Sequence, residues 1–321
     1  MKAKKDIRIV FMGTPDFAVE SLRSLVENGY NVVGVVTMPD KPKGKHQSVL
    51  QASPVKEYAV SKNIPLLQPE KLKDPQFLEE LKAWNADLQI VVAFRMLPEV
   101  VWNMPPLGTF NLHASLLPQF RGAAPINWAI INGENETGNT TFFLTHEIDT
   151  GKIINQQKIN IEDTDDAGII HDKLMYMGGE LVVKTVDDIL ADSIDTISQD
   201  DIIANLEELK PAPKLFKDNC QIDWNKTTKE VYDFIRGLSP YPAAWTELTT
   251  DKGNVLNLKV FKADKQIESH NYSTGKIITN GKDVIKVATT DGFIILQLIQ
   301  LAGKKRMLAE DFLRGNSQLI I

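Results

Sequence analysis

The spacing of hydrophobic and polar residues predicts alternating strands and helices in the first half of the chain. Ile7–Met12 is a short apolar run typical of a buried strand, and Val32–Thr37 is another. Between these runs, Val19, Leu22 and Leu25 recur at the spacing of one helix face. Further strands are predicted over Leu88–Phe94, Thr109–Leu112, Thr140–Leu144 and Lys152–Gln157, with a long helix over Asp166–Leu190. This alternation indicates an α/β domain with a Rossmann-like, mostly parallel sheet.

The pattern changes after a proline-containing linker at Leu209–Lys214. Thr227 and Glu230 have the spacing of a capping box, which predicts the start of a helix. Short strands are predicted over Ala244–Thr250, Val255–Lys262, Lys276–Thr279, Val284–Ala288 and Phe293–Gln300. Several short strands in a compact C-terminal region are typical of an OB-like β-barrel. We therefore expect a catalytic domain over residues 1–205 and a linker plus OB-like domain over residues 206–321.

Composition narrows the class of protein. The chain has 321 residues, of which 43% are hydrophobic and 24% charged, which excludes a disordered chain. The single cysteine, Cys220, cannot form an internal disulfide and suits a reducing compartment. No apolar run approaches the roughly 20 residues of a membrane helix. We expect a cytoplasmic protein without a membrane partner.

Charge is distributed unevenly between the two predicted domains. Residues 206–321 contain 17 basic and 14 acidic residues, although the whole chain has a net charge of −6. The basic excess is compatible with a nucleic-acid-binding C-terminal domain, and equally with ordinary variation between two domains.

Several common cofactor motifs are missing. The turn after the first predicted strand has one glycine, Gly13, where a dinucleotide-binding fingerprint needs three. With one cysteine and five histidines scattered along the chain, we expect no metal site.

The unusual polar segment of the chain is TFNLHASLLPQFRG, over Thr109–Gly122. Asn111 and His113 lie two residues apart on a predicted strand and therefore point to the same face. At the end of such a strand they would face the crevice where open α/β sheets bind ligands. The alternative is that the backbone of the following turn satisfies both side chains.

Asp149 is the third candidate, although its place before Thr150-Gly151 also fits a simple turn residue. Asn, His and Asp together suit acyl transfer to an amine. An amide and an imidazole can donate to a developing oxyanion, and an imidazole can shuttle a proton. A nearby carboxylate stabilises the protonated imidazole.

One set of motifs in the chain is typical of a known family. Its central part is Asn111-x-His113, Ser115-Leu116-Leu117-Pro118 and Arg121-Gly122-Ala123-Ala124-Pro125. Its other segments are Gly13-Thr14-Pro15-Asp16-Phe17, Pro39-Asp40-Lys41-Pro42, Ser53-Pro54-Val55-Lys56, Asp149-Thr150-Gly151, Ala212-Pro213-Lys214, Ile222-Asp223-Trp224, Ile235-Arg236-Gly237 and Gly303-Lys304-Lys305. In these motifs the chain resembles 10-formyltetrahydrofolate-dependent formyltransferases, and among them those that act on methionyl-tRNA.

The resemblance implies transfer of a formyl group from 10-formyltetrahydrofolate to the α-amine of initiator methionyl-tRNA. It implies that Asn111 and protonated His113 hold the oxyanion, while Asp149 stabilises the imidazolium and accepts the amine proton. We expect a monomer without a metal. Two alternatives remain: a folate-dependent formyltransferase acting on an amino-sugar nucleotide, and a non-catalytic RNA-binding protein.

The same resemblance assigns residues to the two substrates. The predicted folate-binding residues are Phe94, Arg95, Met96, Leu97, Ser115, Leu116, Leu117 and Pro118. Arg95 departs from the family pattern, which usually has a glycine there. The predicted residues for the aminoacyl-tRNA are Gly13, Thr14, Pro15, Lys41, Lys43, Lys45, Arg121, Lys210, Lys214, Lys217, Lys304, Lys305 and Arg306. Lys45 stands where the family usually has an arginine that reaches the acceptor end of the tRNA.

Overall fold

The structure, a computed structural model, describes residues 3–43, 49–250 and 253–316. The chain forms two compact units. The first unit comprises Met1–Gly122, Thr137–Ile159 and His171–Pro211, and the second comprises Ala123–Glu136, Asn160–Ile170 and Ala212–Ile321. The assignment of separate functions to residues 1–205 and 206–321 stays a prediction.

Strands and helices follow one another along the described residues. The strands are β1 (Arg8–Gly13), β2 (Asn31–Val36), β3 (Lys41–Lys43), β4 (Val49–Gln51), β5 (Leu66–Leu67), β6 (Leu88–Val92), β7 (Thr109–His113), β8 (Glu136–Phe143), β9 (Ile153–Asn160), β10 (Ala244–Thr249), β11 (Val255–Ile267), β12 (Ile277–Thr279), β13 (Ile285–Ala288), β14 (Gly292–Leu301) and β15 (Met307–Leu308). The helices are α1 (Asp16–Glu27), α2 (Pro54–Ser61), α3 (Pro75–Ala83), α4 (Glu99–Trp102), α5 (Pro125–Ile131), α6 (Ala167–Leu190), α7 (Gln199–Ile203), α8 (Thr228–Leu238) and α9 (Ala309–Asn316).

The first unit contains a seven-stranded sheet in the order β5-β2-β1-β6-β7-β8-β9. The pairs β2–β5, β1–β2, β1–β6 and β6–β7 are parallel, whereas β7–β8 is antiparallel. Every residue of β6 is buried, as expected for a strand covered on both faces. The predicted Rossmann-like, mostly parallel sheet is confirmed.

The turn between β1 and α1 requires a glycine. A Cβ atom on Gly13 would lie 2.7 Å from the Cβ of Ala18 and 2.9 Å from the carbonyl oxygen of Val92. The backbone of β1 therefore approaches both α1 and β6 too closely for a side chain. Phe17, Leu22 and Leu25 bury the apolar face of α1, and this tight turn sets where the helix begins.

The second unit is built around an antiparallel sheet in the order β10-β11-β14-β13-β12, with β15 paired to β14. The register of β11 against β14 shifts near Lys262, where a bulge bends the strand. Thr227 and Glu230 form the predicted capping box at the start of α8. Val231, Ile235 and other apolar residues pack with the sheet into one buried core. This curled sheet is consistent with the predicted OB-like fold.

The short strands β3 and β4 lie on either side of residues 44–48, which are outside the described residues, and they pair with each other. Lys41 pairs with Gln51 and Pro42 with Leu50, in antiparallel register. Backbone pairing therefore overrides the weak strand propensity of Lys and Pro here. Among the described helices, none is long and apolar enough to cross a bilayer.

Candidate active site

The last strand residues of β7 place two polar side chains on one face of the sheet. Asn111 and His113 are two apart, and β7 lies between parallel β6 and antiparallel β8. Asn111 is partly buried, whereas the residue His113 is only 7% exposed. A largely buried imidazole needs polar groups near both of its ring nitrogens, and the surrounding loops have to supply them.

The loop after β7 supplies the first partner of His113. Its Nε2 atom donates to the carbonyl oxygen of Phe120 at 2.9 Å. Because a carbonyl oxygen only accepts, Nε2 carries a proton in this arrangement. Phe120 has a φ of 59°, and its own N–H donates to the carbonyl oxygen of Lys210 at 2.7 Å. The loop therefore sets the tautomer of His113 and leaves Nδ1 to face Asp149.

Asp149 lies in the turn between β8 and β9. Its Oδ2 atom is 3.9 Å from Nδ1 of His113, and its side chain is 13% exposed. The same oxygen accepts the N–H of Gly122 at 3.0 Å. Asp149 adopts a φ of 56°, so the turn holds a non-glycine residue in the left-handed region. The structure thus brings together the imidazole and the carboxylate that the sequence pairs.

The side-chain amide of Asn111 and Nδ1 of His113 are both available to a ligand. The 3.9 Å between Nδ1 of His113 and Oδ2 of Asp149 exceeds a hydrogen-bond length. Among the described residues, none forms a hydrogen bond with the side chain of Asn111. An amide donor and an imidazole donor beside a carboxylate can bind an oxygen that gains negative charge and can move a proton.

The predicted folate segment begins where β6 ends. Val92 pairs with Leu112 in the sheet, so the segment starts next to the end of β7. Met96 is 74% exposed and Leu97 is buried. Phe94 is partly buried, with its ring 5.7 Å from the Arg95 guanidinium carbon. The segment therefore presents apolar and aromatic surface near the end of β7.

The guanidinium of Arg95 is hydrogen-bonded to backbone carbonyls of this chain. Its Nη1 atom donates to the carbonyl oxygen of Glu70 at 2.7 Å, and its Nη2 atom donates to that of Pro69 at 2.5 Å. Its Nε atom is buried without a partner among the described residues. Burial lowers the pKa of the Arg95 guanidinium. Arg95 thus ties the segment after β6 to the segment after β5.

The predicted residues Ser115–Pro118 are mostly buried. Ser115 donates through Oγ to the carbonyl oxygen of Gln119, and its own carbonyl accepts from Oγ1 of Thr140. The carbonyl of Leu117 accepts from Nε2 of Gln156 at 2.8 Å. Leu117 and Pro118 are buried, and Leu116 is partly buried. These contacts support the loop after β7; a contact with folate stays a prediction.

The residues predicted for the aminoacyl end are dispersed. Thr14 and Pro15 are partly buried before α1. Lys41 is exposed on β3. Lys45 lies outside the described residues, and so does the side chain of Lys43. The guanidinium of Arg121 donates to Oε1 of Gln199 from Nε at 3.0 Å and from Nη2 at 2.6 Å.

Lys210 belongs to the first unit, where it is partly buried, and its backbone N–H donates to Oε1 of Gln119 at 2.8 Å. The other predicted phosphate-binding cations belong to the second unit and are exposed: Lys214, Lys217, Lys304, Lys305 and Arg306.

Three of these cations in the second unit lie over aromatic rings. The distances to the ring centroids are 5.4 Å for Lys214 over Phe216, 5.5 Å for Lys217 over Trp245 and 3.6 Å for Arg306 over Phe261. Such pairs keep the charge at the surface while the side-chain stem packs against the ring.

Gln199 is a site residue that the sequence did not indicate. It is 2% exposed and begins α7, a short helix that follows α6. Its partners are backbone carbonyls and one arginine, so neither hydrophobic periodicity nor a residue motif marks it. Only the folded chain reveals that Gln199 contacts the turn that carries Asp149.

Comparison with known proteins identifies the family. Residues 7–186 match the family model described as formyl transferase, and residues 214–317 match the model described as formyl transferase, C-terminal domain. This chain belongs to the formyl transferase family. The formyltransferase resemblance of the sequence is thereby confirmed. A protein of Parabacteroides distasonis named methionyl-tRNA formyltransferase is 66% identical over 316 residues, 98% of each chain.

Two solved structures share the fold of this formyl transferase. An N-formyltransferase from Helicobacter canadensis, in complex with folinic acid and dTDP-3-aminofucose, aligns with a TM-score of 0.64 and 22% identity over 91% of this chain and 99% of that one. HypX from Aquifex aeolicus in complex with tetrahydrofolic acid aligns with a TM-score of 0.63 and 17% identity over 96% of this chain. The match covers 47% of HypX, so this chain spans about half its length. At these identities the likeness concerns the fold alone.

Proposed function

We propose that this formyl transferase moves a formyl group from 10-formyltetrahydrofolate to the α-amine of methionine esterified to initiator tRNA, giving N-formylmethionyl-tRNA for translation initiation. Full-length relatives with 66% and 63% identity are named methionyl-tRNA formyltransferase. The observation that carries the chemistry is the approach of Asp149 to His113, 3.9 Å apart, on the strand that also bears Asn111.

Asn111 and His113 act on the oxygen of the transferred group in this proposal. The side-chain amide of Asn111 is available to donate to that oxygen as its negative charge develops. In the imidazolium form of His113, Nδ1 is the second donor, since Nε2 is committed to the carbonyl of Phe120. Two fixed donors stabilise the charge without the reorganisation that water would need.

Asp149 handles the positive charge and the proton in this proposal. Its carboxylate stabilises an imidazolium at His113, and the N–H of Gly122 keeps Oδ2 directed towards the ring. The amine of methionine has to lose a proton when it is acylated, and the nitrogen of the departing tetrahydrofolate has to gain one when its bond to the formyl carbon breaks. Asp149 accepts the amine proton directly or through a water molecule, because a carboxylate has free acceptor capacity beyond one N–H.

The chemistry of the segment after β6 fits a flat heterocycle. Phe94 and Met96 present aromatic and thioether surface next to the end of β7. Phe94, Arg95, Met96, Leu97 and the loop Ser115–Pro118 are the residues we propose to hold the folate. When bound, 10-formyltetrahydrofolate supplies the formyl group. A folate-derived donor also accords with the HypX structure, which contains tetrahydrofolic acid.

The cations of the second unit are the proposed contacts with the tRNA backbone. Lys214, Lys217 and the run Lys304–Arg306 are exposed, so phosphates can reach them. Lys41, Lys43, Lys45 and Lys210 complete the proposed set. The lysines of this set neutralise phosphate charge without reading a base, so their contacts supply affinity more than sequence specificity. We place the reaction in the cytoplasm and propose a monomer.

Formation of N-formylmethionine tests the proposed function. Purified protein is incubated with 10-formyltetrahydrofolate and methionine-charged initiator tRNA, and the amino acid is analysed after deacylation. We expect formylmethionine to form only when both substrates are present. A parallel reaction with an amino-sugar nucleotide tests the alternative acceptor. Formylation of that sugar without formylation of methionyl-tRNA would contradict the proposal.

A further inference from the structure

The side-chain amide of Gln199 connects α7 to two other segments of the first unit. Nε2 donates to the carbonyl oxygen of Asp149 at 2.9 Å and to that of Gly151 at 2.8 Å. Oε1 accepts from Nε of Arg121 at 3.0 Å and from Nη2 at 2.6 Å. Both donors and the acceptor of the amide are therefore used, within a residue that is only 2% exposed.

The turn that Gln199 contacts is tight and has an unusual backbone conformation. Asp149 adopts a φ of 56°, a left-handed conformation that aspartate adopts more readily than most non-glycine residues but that still costs free energy. Gly151 closes the turn so tightly that a Cβ atom there would lie 1.6 Å from the carbonyl oxygen of Phe143. The two N–H groups of Gln199 bind the carbonyls on both sides of this closure. They therefore fix the direction in which the Asp149 side chain leaves the backbone.

Arg121 and Gly122 both hold Asp149 in place, Gly122 by a direct hydrogen bond and Arg121 through Gln199. Gly122 donates its backbone N–H to the carboxylate at 3.0 Å. Arg121, its neighbour, reaches the carbonyl of Asp149 through Gln199. The carboxylate and the backbone of one residue are thus held by adjacent residues of the loop after β7, the strand that ends in His113.

We propose that Gln199 is a positioning residue that, together with Arg121, orients Asp149 towards His113; this inference rests on the proposed formyl transfer. An amide is the group this position requires. Glutamate would present a charged acceptor to two carbonyl oxygens, and asparagine is one methylene too short to bridge from Arg121 to both of them.

Steady-state kinetics of Gln199→Asn and Gln199→Glu test the proposal. Displacement of a reacting group by about 1 Å can cost about 100-fold, so we expect kcat for methionyl-tRNA formylation to fall by about 10- to 100-fold. The KM for 10-formyltetrahydrofolate should stay within about twofold, since Gln199 contacts none of the residues proposed to bind the folate. Gln76→Met, at an exposed position of α3, is the control and should behave as the wild type.

A double-mutant cycle separates positioning from general support of the fold. If Gln199 acts through the carboxylate, Gln199→Asn should cost less than about twofold in a protein that already carries Asp149→Asn. If the decrease in kcat of the double variant equals the product of the decreases caused by Gln199→Asn and Asp149→Asn alone, the proposal is overturned. It is also overturned if kcat of both Gln199 variants stays within about twofold of the wild type. Thermal melting of each full-length variant shows whether it is folded. A wild-type protein that formylates no methionyl-tRNA would overturn the proposed function instead.

Discussion

The carboxylate of Asp149 faces Nδ1 of His113 at 3.9 Å, although the two residues belong to different parts of the sheet. His113 ends β7, and Asp149 lies in the turn that follows the antiparallel neighbour β8. Their approach depends on the N–H of Gly122, which binds the same carboxylate oxygen. At this distance a group that contacts both atoms from the side can exchange a proton with them, as formyl transfer to an amine requires.

Replacement of Asn111 by alanine removes an unengaged donor on this strand. We expect kcat to fall by about 10²- to 10³-fold, equivalent to about 3–4 kcal/mol, because the lost hydrogen bond forms to developing negative charge. KM should change little. Initial rates at saturating substrates measure the effect, with Asn28→Ala at the exposed end of α1 as the control. A kcat within about twofold of the wild type would remove Asn111 from the proposed mechanism.

Arg95 should affect the folate cosubstrate more than the chemical step. Arg95→Met removes charged hydrogen bonds to the carbonyls of Pro69 and Glu70, which should lower the free energy of unfolding by about 2 kcal/mol. The loosened segment after β6 should raise the KM for 10-formyltetrahydrofolate several-fold and leave that for tRNA unchanged. Arg23→Met, whose ion pair is at the surface, serves as the control. An unchanged folate KM would contradict the folate assignment of this segment.

The exposed cations of the second unit should make tRNA binding salt-dependent. Removing each phosphate-binding lysine should reduce the slope of log Kd against log salt by about 1. Lys304→Ala and Lys305→Ala are therefore expected to weaken binding and flatten the salt dependence. Lys184→Met removes a cation that pairs with Asp188 and should leave the slope as it is. Equal slopes for all these variants would exclude Lys304 and Lys305 from the tRNA interface.

Asp163 and Lys265 give the second unit a pH-dependent contribution to stability. The ammonium of Lys265, 2.5 Å away, holds the pKa of Asp163 below its ordinary 3.8. A carboxyl with a lowered pKa stabilises the folded state above pH 3.8 and loses this contribution as the pH falls below that value. Because the Asp163 side chain is 61% exposed, the effect stays below about 1 kcal/mol.

Lys265→Met should therefore be slightly less stable than the wild type at pH 7. The difference in urea denaturation midpoints should shrink below pH 3.8. Lys262→Met, which changes the same charge on the same strand, should show no such narrowing. If the difference in denaturation midpoint between Lys265→Met and the wild type stays constant across the whole pH range, Lys265 does not stabilise the protein through the Asp163 carboxylate.

The sheet of the first unit could be predicted because its strands are continuous apolar runs. Leu88–Val92 is buried throughout and reads as a strand from composition alone. The strand β3 could not be predicted, since Lys41–Lys43 lacks strand propensity and pairs only because β4 returns beside it. Helix α2 was also missed, because its apolar residues trace no long face.

The candidate site was only partly readable from the sequence. Asn111 and His113 could be placed on one face because residues on a strand alternate. The pairing of His113 with Asp149 came from a family resemblance, since spacing along the chain sets no contact between distant segments. The role of Gln199 could not be predicted, because its partners include the backbone carbonyls of Asp149 and Gly151. Every residue type has a backbone carbonyl, so the sequence does not mark such an acceptor.

His113→Ala tests the central claim most directly, when formyl transfer and tRNA binding are measured on the same protein. The account predicts that binding of methionine-charged initiator tRNA stays within about twofold, while single-turnover formylation falls by about 10²- to 10⁴-fold, the range for loss of a positioned acid–base group. Formylation at the wild-type rate by a folded His113→Ala protein would contradict it.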